Sequence, residues 1–244
     1  YPSTMRAKQL VGEGFLGRVL SFRASYLHAS SINPDKPLTW KLDKGQGGGG
    51  VLYDLGSHVL DLLSSLIGPF EEVCASTNIA YPRRKLPGSD KTQEVEADDQ
   101  AVMLLRTTEG ALGTVEASKI ATGTNDELRV EIHGEKGAIR FNLMDPNWLD
   151  IYDVCEPGEP IGGTRGFKRI ETVNRYPPPG GKFLPGSLNV GWVRAHAACL
   201  FNFLAAIGGG TEPSPTLSDA AQIQKIMDTA YRSAKTQTWE SVAQ

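Results

Sequence analysis

The sequence is poor in cysteine, in long apolar runs and in excess charge of either sign. Its three cysteines, Cys74, Cys155 and Cys199, lie far apart with no C-x-x-C spacing. Neither a disulfide framework nor a cysteine zinc site is suggested, and a reducing, cytoplasmic location is expected. No apolar stretch approaches the ~18 residues of a spanning helix, and no basic-then-apolar signal peptide opens the chain. A soluble protein without membrane association is therefore expected. With 25 basic and 28 acidic side chains the formal charge is −3, too balanced to imply the basic surface that phosphate backbones require, so no nucleic-acid partner is expected. Gly-x-Ser-x-Gly, a Walker loop and His-Glu-x-x-His are absent, which removes the usual local signatures of acyl transfer, nucleotide hydrolysis and zinc proteolysis. The chain starts at Tyr1 and not at methionine, so upstream residues are expected to have been removed or left out.

What is present suffices for a core: 40% of the 244 residues are apolar, and 27 more are glycine. One domain spanning 1–244 is expected. Residues 3–13 begin with Ser3-Thr4, carry helix formers and meet Gly12 and Gly14, which predicts a short helix. Leu20, Phe22, Ala24, Tyr26 and His28 alternate with Ser21, Arg23 and Ser25, which predicts a half-buried strand. Asn33-Pro34 and Lys36-Pro37 open a long polar loop ending in the four glycines 47–50. Helical period returns over 51–67, stopped by Gly68-Pro69, and 73–80 reads as a strand. Residues 81–94 read as a solvated loop whose charges could otherwise touch an anionic ligand. Strand-like runs at 100–106, 111–120, 128–133 and 138–143, joined by short turns, predict an antiparallel meander. Residues 148–154 and 168–173 could extend it, while the Pro- and Gly-rich stretch 156–186 leaves its boundaries open. Helices are predicted at 192–207 and from 218 to about 235. The pattern is α+β, a mainly antiparallel open sheet with helices packed on one face.

Chemistry concentrates in Gly47-Gly48-Gly49-Gly50-Val51-Leu52-Tyr53-Asp54-Leu55-Gly56-Ser57-His58-Val59-Leu60-Asp61. At ~100° per residue, Asp54, His58 and Asp61 share one helical face within about 60°. That face borders the apolar stripe of Val51, Leu55, Val59, Leu62 and Leu66. A carboxylate one turn before an imidazole can orient the ring and favour its protonated form, which is acid/base equipment. The glycines permit close approach of a backbone or ligand and leave the helix N-terminus facing a cleft. Gly56 inside the helix costs about 1 kcal/mol relative to alanine, so something beside it needs space. The same spacing also fits a His58 that caps a carbonyl and an Asp54 paired with a distant arginine. It fits a metal pair lacking a third ligand too, and no metal site is assigned. Trp40-Lys41 could offer an apolar wall and a cation to a hydroxylated ligand, or simply anchor the loop. His28 could face the same cleft or occupy an ordinary edge position; His133 lies opposite Val130 and Ile132, and His196 reads as a hydrogen-bonded core residue.

This segment resembles the Gfo/Idh/MocA oxidoreductases, whose pattern of glycines followed by Asp-x-Gly-x-His-x-x-Asp matches Gly48-Gly49-Gly50 with Asp54, Gly56, His58 and Asp61. Residues 5–20 look like the family's helix and turn before the first strand of its second domain. Residues 132–141 resemble its Gly-x-x-Gly hairpin, and Pro213-Ser214-Pro215-Thr216-Leu217-Ser218-Asp219 resembles the approach to its last helix. The resemblance implies hydride transfer between a sugar, cyclitol or related polyol hydroxyl and NAD or NADP. It implies His58 as proton acceptor or donor and Asp54 as its orienting carboxylate; Asp61, which could instead only stabilise the helix, is expected on the substrate side together with Lys41 and Trp40 of the loop before the glycines. It also implies a homo-oligomer, dimer or tetramer, through the open sheet face. The sequence departs from the family in having no Gly-x-Gly-x-x-Gly after a strand, no acidic ribose contact and no Glu-Lys-Pro. The chain is therefore expected to be the substrate-binding and oligomerising half of such an enzyme, inactive alone, with the cofactor bound mainly by an absent N-terminal domain. The alternative is a noncatalytic carbohydrate-binding or assembly module.

Overall fold

The computed structural model describes residues 1–173, 175–177, 181, 188 and 191–242. Part of the stretch 156–186 lies outside these residues. Helix α1 (Pro2–Gly12) begins on Pro2 and ends before positive-φ Gly14, then feeds β1 (Val19–Leu27). The loop after β1 is not wholly irregular, because a 3-10 turn (Trp40–Leu42) and a one-turn helix α2 (Lys44–Gly47) organise it. Leu42 buries with Leu38 and Val95 in a small apolar cluster, and the Asp43 carboxylate caps α2 by accepting from Gly45 N at 2.9 Å. Residues 51–67 are helical as expected but in two pieces. Leu52–Gly56 form a wide π turn, and α3 (Ser57–Ile67) continues from it with Val59, Leu60, Leu63 and Leu66 buried.

The strands β2 (Phe70–Asn78), β5 (Gln100–Thr107), β6 (Leu112–Ser118), β7 (Glu127–Gly134), β8 (Gly137–Asn142), β9 (Trp148–Asp153) and β10 (Lys168–Glu171) match the predicted runs. The short strands β3 (Arg83–Lys85) and β4 (Thr92–Glu94), a separate hairpin, and β11 (Glu240–Ser241), at the edge of the main sheet, were not foreseen. The hairpin corrects the solvated-loop reading of 81–94. Arg84 is buried, and its guanidinium donates to Ser31 O and Asn33 O at 2.8 Å and Lys36 O at 3.2 Å. A buried guanidinium needs partners for its donors, and here the carbonyls of the loop after β1 take its two terminal nitrogens, while Nε is left without one among the described residues.

The nine-stranded sheet has the order β10-β9-β8-β7-β1-β6-β5-β2-β11. The meander expectation therefore needs one correction: β6 and β7 are not neighbours, because β1 enters between them, antiparallel to β7 and parallel to β6. The chain can place β1 there because the crossover through α3 carries it to the far side before β2 forms. One face alternates inward with Phe22, Ala24, Met103, Leu105, Val115, Ala117, Val130, Ile132, Ile139 and Phe141. Packed on it are α1, α3 and α5 (Leu217–Thr236), the last opened by a Thr216–Asp219 capping box and burying Ile223, Ile226, Met227 and Ala230. The opposite face is open, with Val102, Leu104 and Leu112 exposed. Helix α4 (Gly191–Gly209) departs from its expected packing: Val193, Leu200, Phe203, Leu204 and Ile207 are exposed, and so is His196, which stacks near Trp192 at 4.4 Å instead of entering the core. No helix among the described residues is long and apolar enough to cross a membrane.

The β1–β6 junction is tight. A Cβ at Gly113 would stand 2.4 Å from both the ring and the carbonyl oxygen of Phe22. Gly113→Ala is expected to cost about 1–3 kcal/mol, read as a lower urea midpoint at unchanged slope; an unchanged midpoint would contradict this packing.

Candidate active site

Because β1 and β6 run parallel, their C-terminal ends finish side by side under the start of the α3 segment. The pairing continues past the strands, with His28 N donating to Ser118 O at 2.7 Å and Ser31 N to Lys119 O at 2.9 Å. This places Tyr26 and His28 from one strand, and Lys119 from the other, next to the helix that carries Asp54 and His58.

The glycine run is fixed from behind. Gly50 N and Leu52 N donate to the two carboxylate oxygens of buried Asp98 at 3.1 and 3.0 Å, and Val51 N donates to the Asp98 carbonyl at 2.8 Å. Tyr231 donates to the same carboxylate and its oxygen accepts from Gly50 N at 3.0 Å. Asp98 thus serves as a helix cap from 48 residues away. A Cβ on Gly50 would lie 2.2 Å from Asp98 O, so this glycine is required by the protein's own backbone. The expectation that the N-terminal amides face a cleft is corrected: Asp98 occupies those of Gly50 and Leu52. A Cβ on Gly56 would lie 2.9 Å from the Leu52 side chain, which accounts for the glycine there.

Asp54 sits in the π turn. Its carboxylate receives the Lys41 ammonium at 3.0 Å on each oxygen and the Lys119 ammonium at 3.0 Å on Oδ2. Lys119 is only 5% exposed, so its charge needs this partner. The expected pairing of Asp54 with His58 is corrected, since among the described residues no hydrogen bond joins them. The reason is the wide turn: with i→i+5 bonding, the residue one turn on is no longer i+4, and His58 moves out from beneath Asp54. The distant-arginine alternative was right in kind but not in residue type.

His58 is exposed, its ring edge-to-face with Tyr26 at 5.8 Å and 72°. It opens on a cavity of about 510 Å³ lined also by Tyr53, Ser57, Asp61, Pro215 and Gln224. Asp61 is half-buried; burial and then Asp219 push its carboxyl above the usual range, with His58 and Lys8 opposing. Tyr53 donates to Asp228, and burial together with that bond raises its phenol to about 12. A smaller cavity of about 190 Å³ is bounded by Trp40, Lys41, Gly47, Gly49, Gly50, Tyr53 and Asp54. The structure therefore brings Trp40, Lys41 and Asp54 to one cavity and His58 and Asp61 to another, with Tyr53 shared. Sequence reasoning missed Lys119, Asp98 and Tyr231. A lysine ending an otherwise small and apolar strand was the one local signal for Lys119.

An open α+β sheet with an imidazole and a lysine-bound carboxylate on the helix over its parallel junction defines the class. The GFO/IDH/MocA C-terminal domain matches residues 4–140, and the chain belongs to that family. It is 31% identical over 255 residues to levoglucosan dehydrogenase of Pseudarthrobacter phenanthrenivorans, covering 100% of this chain and 64% of that protein. It is 25% identical over 242 residues to inositol 2-dehydrogenase of Rhizobium meliloti, covering 99% of this chain and 62% of that protein. A levoglucosan dehydrogenase structure in complex with NADH and L-sorbose superposes with a TM-score of 0.92 at 32% identity, covering 100% of this chain and 63% of that one. The chain thus spans less than two thirds of the length of these relatives.

Burial raises the Asp54 carboxyl, but the bonds from Lys119 and Lys41 outweigh it and hold it below the usual carboxylate range. A group depressed in this way contributes stability that is present above its unfolded pKa, ~3.9, and lost as pH falls through the folded value. Asp54→Asn should be less stable than the parent by on the order of 1 kcal/mol at neutral pH, the gap closing in acid as the parent carboxylate is protonated. Urea denaturation across pH checks this, and a gap that persists at the lowest pH contradicts it.

Proposed function

We propose that residues 1–244 are the substrate-binding, catalytic and oligomerising half of an NAD(P)-dependent oxidoreductase acting on a sugar, cyclitol or related polyol hydroxyl. The observation that carries the reading is an exposed imidazole, His58, lining a cavity and four residues beyond a carboxylate held by two ammonium groups. Similar proteins support it: a relative named for levoglucosan, a solved levoglucosan dehydrogenase in complex with NADH and L-sorbose, and a relative named for inositol.

Within this reading His58 takes the proton of the reacting hydroxyl, or returns it in the reverse direction, an imidazole nitrogen being able to act as either acceptor or donor. Asp54 acts by fixing Lys41 and Lys119 beside the site. Lys41 keeps a donor for a substrate oxygen while Trp40, 5.6 Å from its ammonium, supplies the apolar wall that a sugar ring face packs against. Asp61 lines the His58 cavity and accepts from a second hydroxyl. The glycine run does not fit a pyrophosphate: the amides of Gly50 and Leu52, which one would need, are occupied by Asp98. The electron side of the reaction is assigned to a separate nucleotide-binding half.

The open sheet face is proposed to bind a second copy. It combines exposed Val102, Leu104 and Leu112 with a shallow cavity of about 680 Å³ whose walls carry Arg23, Arg140, Glu116 and Glu131, charges of both signs that suit self-association.

In the protein joined to its nucleotide-binding half, His58→Ala is expected to lower turnover of a polyol by about 10²–10⁴-fold, measured as nicotinamide reduction; parental activity would refute the role. Leu104→Asp is expected to shift the mass in sedimentation equilibrium toward monomer, and an unshifted oligomer would remove the open face as the interface.

A further inference from the structure

Asp54 is engaged by Lys41 and Lys119, and among the described residues no hydrogen bond joins it to the His58 ring. A histidine on the exposed side of a helix samples several rotamers, and a proton acceptor needs one. The aromatic ring against His58 is Tyr26, edge-to-face at 5.8 Å and 72°. Tyr26 is in turn locked. Its hydroxyl donates to Asp126 Oδ1 at 2.7 Å, the same oxygen meets His28 Nε2 at 2.7 Å, and the His28 ring stands 5.2 Å from Tyr26 at 68°. Burial and the bond to Asp126 raise the Tyr26 phenol, so it keeps its proton and remains a donor. His28 is pinned through its main chain, which donates to Ser118 O at 2.7 Å and accepts from Ala121 N at 3.0 Å. In the sheet Tyr26 lies between Ala117 of β6 and Leu128 of β7, so its backbone is fixed on both sides.

We propose that Tyr26 is a positioning residue for His58, its ring restricting the imidazole to the rotamer that serves the cavity, with Asp126 and His28 locking Tyr26 in turn. The proposal rests on the reading of His58 as the proton-transfer group. No side chain of the Tyr26–Asp126–His28 cluster is asked to touch the reacting atoms. Its effect is on how much of the time His58 is aligned, so it acts on turnover more than on binding.

Two measurements test it. In NMR spectra of this chain, with the His58 ring protons assigned by His58→Gln, Tyr26→Leu should move the His58 resonances toward those of a freely rotating imidazole, because the ring current of the tyrosine is lost. Tyr26→Phe, which keeps the ring, should leave them near their parental positions. In the protein joined to its nucleotide-binding half, Tyr26→Leu should lower kcat on the order of ten-fold with KM changed by less than about two-fold, and Tyr26→Phe should recover most of that loss. Unmoved His58 resonances or an unchanged kcat in folded Tyr26→Leu overturns the proposal, as does a loss confined to KM. If Tyr26→Leu does not fold, Tyr26→Met, which fills more of the space without an aromatic ring, decides by the same two readouts. Full activity of His58→Gln would instead defeat the functional reading, while the spectra would still report whether Tyr26 holds the ring.

Discussion

The structure around the candidate site depends on one carboxylate shared by two ammonium groups. Lys119 is buried at the end of β6, so its charge needs a carboxylate partner. Asp54 meets it at 3.0 Å and meets Lys41 as well. A π turn weakens the regular hydrogen-bond ladder by an amount on the order of one net bond, about 0.5–1.5 kcal/mol. The ion pair offsets that loss, so the helix can widen at Leu52–Gly56 and deliver Asp54 to Lys119. The widening is also what separates Asp54 from His58, so the two members of the sequence motif answer to different neighbours.

The remaining elements serve that arrangement. Arg84 gathers the carbonyls of Ser31, Asn33 and Lys36, and Leu42 anchors the 3-10 turn, so that the loop after β1 presents Lys41. Asp98 and Tyr231 hold the glycine run, which sets where the π turn begins. The parallel pairing of β1 with β6 brings Lys119 and Tyr26 to the same end of the sheet. Each of these contacts joins segments distant in sequence, so the site forms only when the whole sheet does.

That dependence explains what could be read from the residues alone. Strands such as β5 and β8 were legible because burial alternates with period two, as in Ala101, Met103 and Leu105. Helices α1, α3 and α5 were legible from spacing and stop signals. The position of β1 between β6 and β7 was not, because a crossover connection leaves no local trace, whereas short turns suggest sequential neighbours. The same holds for Arg84, which stands among prolines and lysines and looks solvated until three carbonyls converge on it. The apolar spacing of α4 signalled a helix correctly but not its exposure, since periodicity records which face is apolar and not what covers it. The motif pointed to Asp54, His58 and Asp61, and the loop before the glycines to Lys41 and Trp40, which line two cavities that share Tyr53. Lys119, Asp98 and Tyr26 were not legible, since each acts through a contact that only the fold creates.

The central claim is that His58 is the group that meets the reacting hydroxyl while Asp54 stays engaged with its lysines. A crystal structure of the protein with a bound polyol tests it most directly. The account predicts a substrate hydroxyl within about 3 Å of a His58 ring nitrogen, with the Asp54–Lys119 contact intact. A polyol bound elsewhere, with His58 turned to solvent, would contradict it.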